Sequence, residues 1–478
     1  MSRAGFPVSR FPGFPAEPVP PPGALPTLEA MRDHEGRRAA AGRRRLALLA
    51  AALALALLLL AACSGGPPDD PAPPAELGWG FTHTQHSADA GEDRAVRRAR
   101  TTLEGTGLPQ VQHLMGWGSA NPEPRPGTYD FAAMDRRIAL AEETGATPVI
   151  TLCCAPDWMK GGREGRTDWS TRSLERAPDP EHFADFAELA ATTARRYPQV
   201  RHYLVWNEFK GFWNEAEGRW DHEGYTELYN QVRRALKEVD PALRVGGPYL
   251  VMDSFPPGRT EGASREVRGD WGALDRRTVD AFRYWNRHKD GADFVVADGS
   301  SYTTDGELVP DAFAATAKFT DVGRWVREET GGLPLWWAEY YVEPGDADDQ
   351  RAGWPEPRRR AVHAAGLAAL ARGGATTAFY WNPERTTTPC PGCLWRPTHL
   401  PDGGTPLPML DLLARFQREF GPGTRFTSVP GDTSPGLTVL ADDHATLIVN
   451  HRPTARTVRV AGARVRLEAY EVRWLERG

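Results

Sequence analysis

Two carboxylates in this chain stand where strands could aim them at a common hollow. Glu208 closes the tetrad Val205-Trp206-Asn207-Glu208, which ends an apolar run, and Glu339 closes the run Leu333-Pro334-Leu335-Trp336-Trp337-Ala338. One carboxyl that holds a proton and one that stays ionised are the equipment for breaking a sugar acetal: the first protonates the leaving oxygen, the second attacks the anomeric carbon. A lone glutamate at a strand end is weak evidence, because surface loops carry glutamates for solubility. Two of them, each at the C-terminal end of a buried run and each among tryptophans, are much more specific.

The elements that must position this pair follow from the hydrophobic pattern. Strand patterns fall at 77–82, 109–115, 147–153, 200–206, 242–247, 293–297, 333–338 and 375–381. Amphipathic helical patterns lie near 91–105, 130–145, 180–197, 223–239, 275–288, 311–330, 358–372 and 408–420, several bounded by signals such as Gly145 or Asp179-Pro180. Eight alternations predict a (β/α)8 barrel over residues 76–420, with Glu208 past strand four and Glu339 past strand seven. An open doubly wound sheet would normally carry a glycine-rich nucleotide turn after its first strand, and Gly78-Trp79-Gly80-Phe81 is not that turn. After Gly421-Pro422-Gly423 the pattern changes to short alternating segments at 437–441, 445–450, 456–460 and 464–475. Residues 421–478 therefore read as a small antiparallel β unit, too short to stand alone and packed on the barrel's flank.

The N-terminus has a separate purpose. Arg43-Arg44-Arg45, the apolar run Leu46–Ala62 and then Cys63-Ser64-Gly65-Gly66 have the layout of an export signal. An uncleaved span is the rival reading, since 17 apolar residues sit near the lower limit for crossing a bilayer. Either way the body is expected outside the cytoplasm, on a membrane face. Met31 offers an alternative start with a shorter basic region. Residues 63–75 form a Pro/Gly/Asp linker. Residues 1–62 hold eight Lys+Arg against four Asp+Glu, so the formal charge of −6 conceals a more acidic remainder. Such a body argues against nucleic acid as the partner and is compatible with neutral or weakly charged polysaccharide. In an exported chain Cys390-Pro391-Gly392-Cys393 is expected to be a loop disulfide, while Cys153 and Cys154 are expected as two buried thiols.

The motifs also carry a resemblance. Trp206-Asn207-Glu208 with a second glutamate ending strand seven resembles glycoside hydrolase clan A. The stretch from Pro126 through Phe131 to Met134-Asp135, the segment Pro148–Trp158, Phe212-Trp213 and Val245-Gly246-Gly247-Pro248 resemble family 39 of that clan. The family includes β-xylosidases, α-L-iduronidases and hydrolases of bacterial exopolysaccharides. The likeness implies a retaining glycosidase without metal or organic cofactor, acting on an oligo- or polysaccharide, with Glu208 as acid/base and Glu339 as nucleophile. It places Trp381, ending strand eight, under the sugar ring. Separately, Leu60-Ala61-Ala62-Cys63 resembles a lipoprotein lipobox, which implies lipidation of Cys63.

Further site candidates come with alternatives. Asn207 is expected to bond the sugar 2-hydroxyl, or else to cap its loop. Tyr302 is a candidate donor to Glu339, or a core-edge tyrosine; His83 is a candidate for a sugar hydroxyl, or a satisfied loop histidine. Glu208 is expected to have a raised pKa, through burial among Trp206, Phe209 and Trp213 and repulsion from Glu339. Two departures from the family pattern stand out: Ser300-Ser301-Tyr302 lacks the usual His of strand six, and Val111–Trp117 lacks an expected Arg. Both touch the subsite that reads sugar identity. A metal-dependent barrel hydrolase, prompted by His83-Thr84-Gln85-His86, lacks the further histidines on strand five and the Asp on strand eight. A membrane-anchored polysaccharide-binding protein without turnover is the remaining rival, and it would be expected to have lost one of the two carboxylates.

Overall fold

Continuous apolar runs of four to eight residues, too short for helices, make strands that can be buried on both faces. The computed structural model describes residues 77–476 except 346–352, 382, 387–388 and 430–434. The expected leader, Cys63 and the linker lie outside these described residues.

Eight parallel strands close into a barrel: β1 Gly78–Thr82, β2 Gln110–His113, β3 Pro148–Leu152, β4 His202–Val205, β5 Arg244–Val251, β6 Phe294–Ser300, β7 Leu335–Tyr341 and β8 Ala375–Tyr380. Pairing of β1 with β8, in register at Gly78 and Thr377, completes the ring. Eight longer helices accompany the strands: α1 Asp93–Leu103, α2 Ala132–Glu143, α3 Phe183–Arg196, α4 His222–Val239, α5 Arg276–His288, α6 Ala317–Glu329, α7 Glu356–Arg372 and α8 Pro408–Glu419. The predicted barrel is the observed one.

A compact cluster that includes Val111, Val149, Leu204, Phe294, Val296, Trp336 and Phe379 has one or two members from almost every strand. It fills the barrel, with Phe294 and Trp336 stacked at 3.7 Å. Gly246 makes room for it, since a Cβ there would lie 2.2 Å from the Phe294 ring.

Three strands run further than their sequence pattern suggests. β5 reaches Val251, β6 reaches Ser300 and β7 reaches Tyr341, so Glu339 lies inside β7 and not beyond it. Two β-bulges accompany the extensions. One falls in β5, where Val296 pairs with Pro248 but Ala297 pairs with Leu250. The other falls in β7, where Ala297 pairs with Trp337 but Asp298 pairs with Glu339. A bulge inserts one residue and flips the alternation beyond it. Trp336 and Ala338 belong to the interior cluster, and after the bulge Glu339 and Tyr341 take that inner side. The connection from β5 to α5 carries an unforeseen antiparallel sheet, Ser254–Phe255, Ala263–Gly269 and Gly272–Asp275.

The C-terminal strands are β9 Leu437–Ala441, β10 Ala445–Asn450, β11 Arg456–Val460, β12 Ala463–Leu467 and β13 Val472–Glu476. The segment expected at 464–475 is two strands. β9, β10 and β13 form one antiparallel sheet, and β11 and β12 a hairpin. Trp474 packs on Phe416 and Phe420 at 6.2 and 5.2 Å, and the Arg372 guanidinium donates to the Val439 carbonyl. This cover explains why α7, rich in alanine, is buried without interruption from Ala361 to Ala371.

Candidate active site

Glu208 is delivered by a strained turn. Beyond β4, Trp206, Glu208 and Phe209 have φ of 68°, 51° and 55°. Bulky side chains occupy this left-handed region only when their surroundings over-determine it. Here Trp206 packs on Phe186 and Phe212 at 5.5 and 6.1 Å and donates its indole N–H to the Lys210 carbonyl at 2.8 Å. Phe209 stacks on Tyr225 at 4.0 Å, and the Tyr225 hydroxyl donates to the Val205 carbonyl at 2.9 Å. Aromatic packing thus holds the turn that points Glu208 at the barrel mouth.

The two glutamates meet there, with a third acid between them. One carboxylate oxygen from each of Glu208, Asp298 and Glu339 lies within 4.8 Å of the others. Glu339 is 3% exposed and Asp298 fully buried, while the Glu208 side chain retains 15% exposure. Glu339 accepts from the Tyr249 hydroxyl at 2.7 Å and from the Tyr341 hydroxyl. Lys210 Nζ lies 2.5 Å from Glu208 Oε2, 3.4 Å from Glu175 and 5.7 Å above the Trp117 ring. His113 rests under this group, 4.6 Å from Trp117 and 6.0 Å from Trp381. Both His113 nitrogens, Asn207 Oδ1 and both Asp298 oxygens are buried without a hydrogen-bond partner of normal geometry. Buried polar atoms are seldom left so, and their convergence marks a hollow built for a polar ligand.

The charges distribute differently from the sequence expectation. Burial pushes Glu208 up, but Lys210, the Asp298 carboxyl acting as a proton donor, and His113 together outweigh it and hold Glu208 below its ordinary value. Glu339 is pushed up to about 8, by burial first and then by the charge of Glu208, against the opposing pull of Tyr341 and Tyr249. Burial, Glu208 and Glu339 drive Asp298 well above the carboxylate range, so it keeps its proton. Burial and Lys210 lower His113 to about 3, leaving the ring neutral. The expected raised pKa of Glu208 is therefore not that of the unliganded site. Lys210, two residues along the same turn, reverses it.

Several candidates are placed differently from expectation. His83 is buried, with Nδ1 on Ser87 at 2.7 Å and Nε2 on Gln110 at 2.8 Å, so both nitrogens are occupied and the structural alternative holds. The phenols bonded to Glu339 are those of Tyr249 and Tyr341, not that of Tyr302. Trp381 does stand at the mouth, beside His113 and 6.3 Å from Trp117. Cys153 and Cys154 are not two free thiols but form a disulfide with one another, and Cys390 and Cys393 form the second.

Sequence reasoning missed Asp298, Lys210, Tyr249, Tyr341 and His113. An aspartate directly after the apolar run Phe294-Val295-Val296-Ala297 is a usable signal, because an unpaired acid is rare in a core strand. Tyr249 and Glu339 depend on bulges that no local pattern reveals. The three acids could also hold a hard cation by donor type. The lone pairs of Glu208 and Glu339 are already engaged, however, by the Lys210 ammonium and the two phenols, which suits proton handling better.

A closed parallel barrel with glutamates after β4 and on β7, facing one another at one mouth, defines a (β/α)8 protein with a paired-carboxylate site. Residues 109–287, from β2 to α5, match the model of Glycosyl hydrolases family 39. That stretch contains Asn207, Glu208 and Lys210 but not Asp298 or Glu339. A β-xylosidase of Caldicellulosiruptor saccharolyticus is 29% identical over 140 residues, 27% of each chain, so the match spans about a quarter of that relative's length. Among solved structures, a monomeric β-xylosidase from Caulobacter crescentus CB15 aligns with TM-score 0.52 and 21% identity, covering 79% of this chain and 74% of that one. A family 39 glycoside hydrolase from Bacteroides cellulosilyticus WH2 aligns with TM-score 0.54 and 14% identity, covering 84% and 79%. At these identities the structural likeness speaks for the fold.

Proposed function

We propose that this chain is a retaining glycoside hydrolase of the family 39 type, acting on an oligo- or polysaccharide by double displacement. The observation that carries the reading is the approach of Glu208 and Glu339 oxygens to within 4.8 Å. Retaining pairs stand about 5–5.5 Å apart and inverting pairs about 6.5–9.5 Å, the latter leaving room for a water. Glu339 attacks the anomeric carbon while Glu208 protonates the departing oxygen; Glu208 then deprotonates the water that releases the sugar from Glu339. Tyr249 and Tyr341 hold the Glu339 carboxylate in place and stabilise its charge. Asn207 and the protonated Asp298 are the hydroxyl-reading groups beside it, and Trp381 supplies the ring face. The working protonation requires substrate to draw Lys210 off Glu208: without that cation Glu208 rises and takes the proton that Glu339 holds at rest.

The β-xylosidase relative supports a xylosidase-like activity. The aspartate on β6 and the missing strand-six histidine bear on which sugar is accepted. We also place the enzyme outside the cytoplasm, tethered to the membrane by lipid on Cys63, a reading supported by the basic, apolar and Cys63 layout of residues 43–63.

A panel of aryl glycosides tests the enzyme reading. Turnover is expected and should vanish in Glu339→Ala. Glu208→Ala should lose turnover of poor leaving groups and recover it with azide or activated leaving groups, since only protonation is removed. Binding without turnover by the native chain would instead favour a polysaccharide-binding protein.

A further inference from the structure

The loops after β3 and β4 enclose a cavity of about 1220 Å³ that none of the three site carboxylates lines. Five of its lining residues are cationic, in a chain whose formal net charge is −6. Two of the five are already committed: Lys160 is buried 3.7 Å from Asp157, and Arg176 lies 3.0 Å from Asp179. The other three, Arg163, Arg166 and Arg172, are exposed and have no carboxylate partner among the described residues. Unpaired guanidinium forks gathered at one cavity suit carboxylate or sulfate groups, which they can grip with two parallel hydrogen bonds. A second observation concerns the same loop. Trp169, flanked by the lining residues Asp168 and Ser170, is 50% exposed, and among the described residues Tyr129 is the other large hydrophobic side chain exposed to that degree. An exposed indole offers a face on which the apolar side of a sugar can stack.

The cavity adjoins the reaction centre on one side. Glu175 and Gly211 both line it, and Glu175 lies 3.4 Å from the Lys210 ammonium that holds Glu208. Its contact with the reaction centre therefore runs through Lys210 to Glu208. In the reaction proposed above, the leaving oxygen departs towards Glu208, so the sugars attached to it extend into this space. We infer that the cavity is a leaving-group subsite for an acidic glycan, whose carboxylate or sulfate groups are bound by Arg163, Arg166 and Arg172 while a ring stacks on Trp169. The inference rests on the assignment of Glu208 as acid/base for its direction only, since binding can be read without turnover.

The test is calorimetric titration of the chain with three size-matched probes: neutral xylohexaose, hexagalacturonate and a sulfated chondroitin hexasaccharide. At low salt the better acidic probe should bind about tenfold tighter than the neutral one, an advantage that added salt screens. The triple variant R163Q/R166Q/R172Q should cost the acidic probe about tenfold and leave neutral binding in place, as three exposed ion pairs imply. W169A should weaken both kinds of probe. The three arginines have no carboxylate partner among the described residues, so the triple variant should melt as the native chain does, and neutral binding checks that it is folded. Preference for hexagalacturonate identifies uronate as the acidic group, and preference for chondroitin identifies sulfate; both support the subsite. Equal affinity for neutral and acidic probes, or acidic binding untouched by the triple variant, overturns it. A chain that binds acidic probes but hydrolyses nothing refutes the glycosidase assignment and leaves this site standing.

Discussion

Replacing Lys210 with methionine removes the cation that contacts Glu208 while keeping much of the side-chain volume. Nζ lies 2.5 Å from Glu208 Oε2, and the two side chains are 26% and 15% exposed. An opposite charge at such range shifts a carboxyl by about 1–3 pKa units, and the partial exposure of the lysine favours the lower half, about 1–2 units. The sign follows from the pair. The active form carries one proton shared by Glu208 and Glu339; gaining a second sets the acid limb of the profile, and losing the first sets the basic limb. Taking away a positive charge makes both protonations easier, so both limbs of kcat/KM should move towards higher pH. The proton also settles on Glu208, where catalysis needs it. The assay is kcat/KM for an aryl glycoside from about pH 4 to about pH 10. Lys210→Arg keeps the charge and should leave the limbs near their native positions. If Lys210→Met leaves both limbs within about 0.3 unit of native, when opposite charges at this distance ordinarily act more strongly, the lysine does not set the protonation of the pair.

Glu339 also links pH to stability. Its folded pKa of about 8 lies above the ordinary value, so the folded state binds more protons, and this group's contribution is lost as pH rises from the unfolded value near about 4.3 through about 8. Glu339→Gln removes that loss: thermal melts should match the native chain near pH 4 and exceed it near pH 8.5 by up to about 5 kcal/mol, the full worth of the shift, while equal melts at both pH values would show that Glu339 titrates normally. For the tether, Cys63→Ala expressed in a bacterial host should move the enzyme from the membrane fraction to the soluble extracytoplasmic one. Fractionation unchanged by the substitution would favour an uncleaved span.

How far the site was legible follows from how local its causes are. Val205-Trp206-Asn207-Glu208 is a contiguous signal, because the aromatic residues that brace the turn sit beside the glutamate they aim. Tyr341 was accessible by the same kind of reasoning, since two residues along a strand share a face with Glu339. Tyr302 follows the sixth strand's apolar run and is thereby a candidate donor to Glu339, but a bulge in β5 brings Tyr249 there instead. The position of His83 past β1 suggests a sugar contact, yet its ring nitrogens are occupied by Ser87 and by Gln110, 27 residues away.

The sequence by itself determined the alternation of eight strands and helices, and with it a barrel whose mouth collects whatever follows β4 and β7. It also placed Glu208 and Glu339 at the ends of two buried apolar runs, because hydrophobic period and strand-end position are properties of short segments. Tertiary structure alone decided that Asp298 joins them, that Lys210 holds Glu208 ionised at rest, and that Glu339 is the group carrying the raised pKa. Those outcomes depend on how closely Glu208, Asp298 and Glu339, which stand 41 to 131 positions apart, approach one another and on the loss of solvent around them. Neither quantity exists until the barrel has closed.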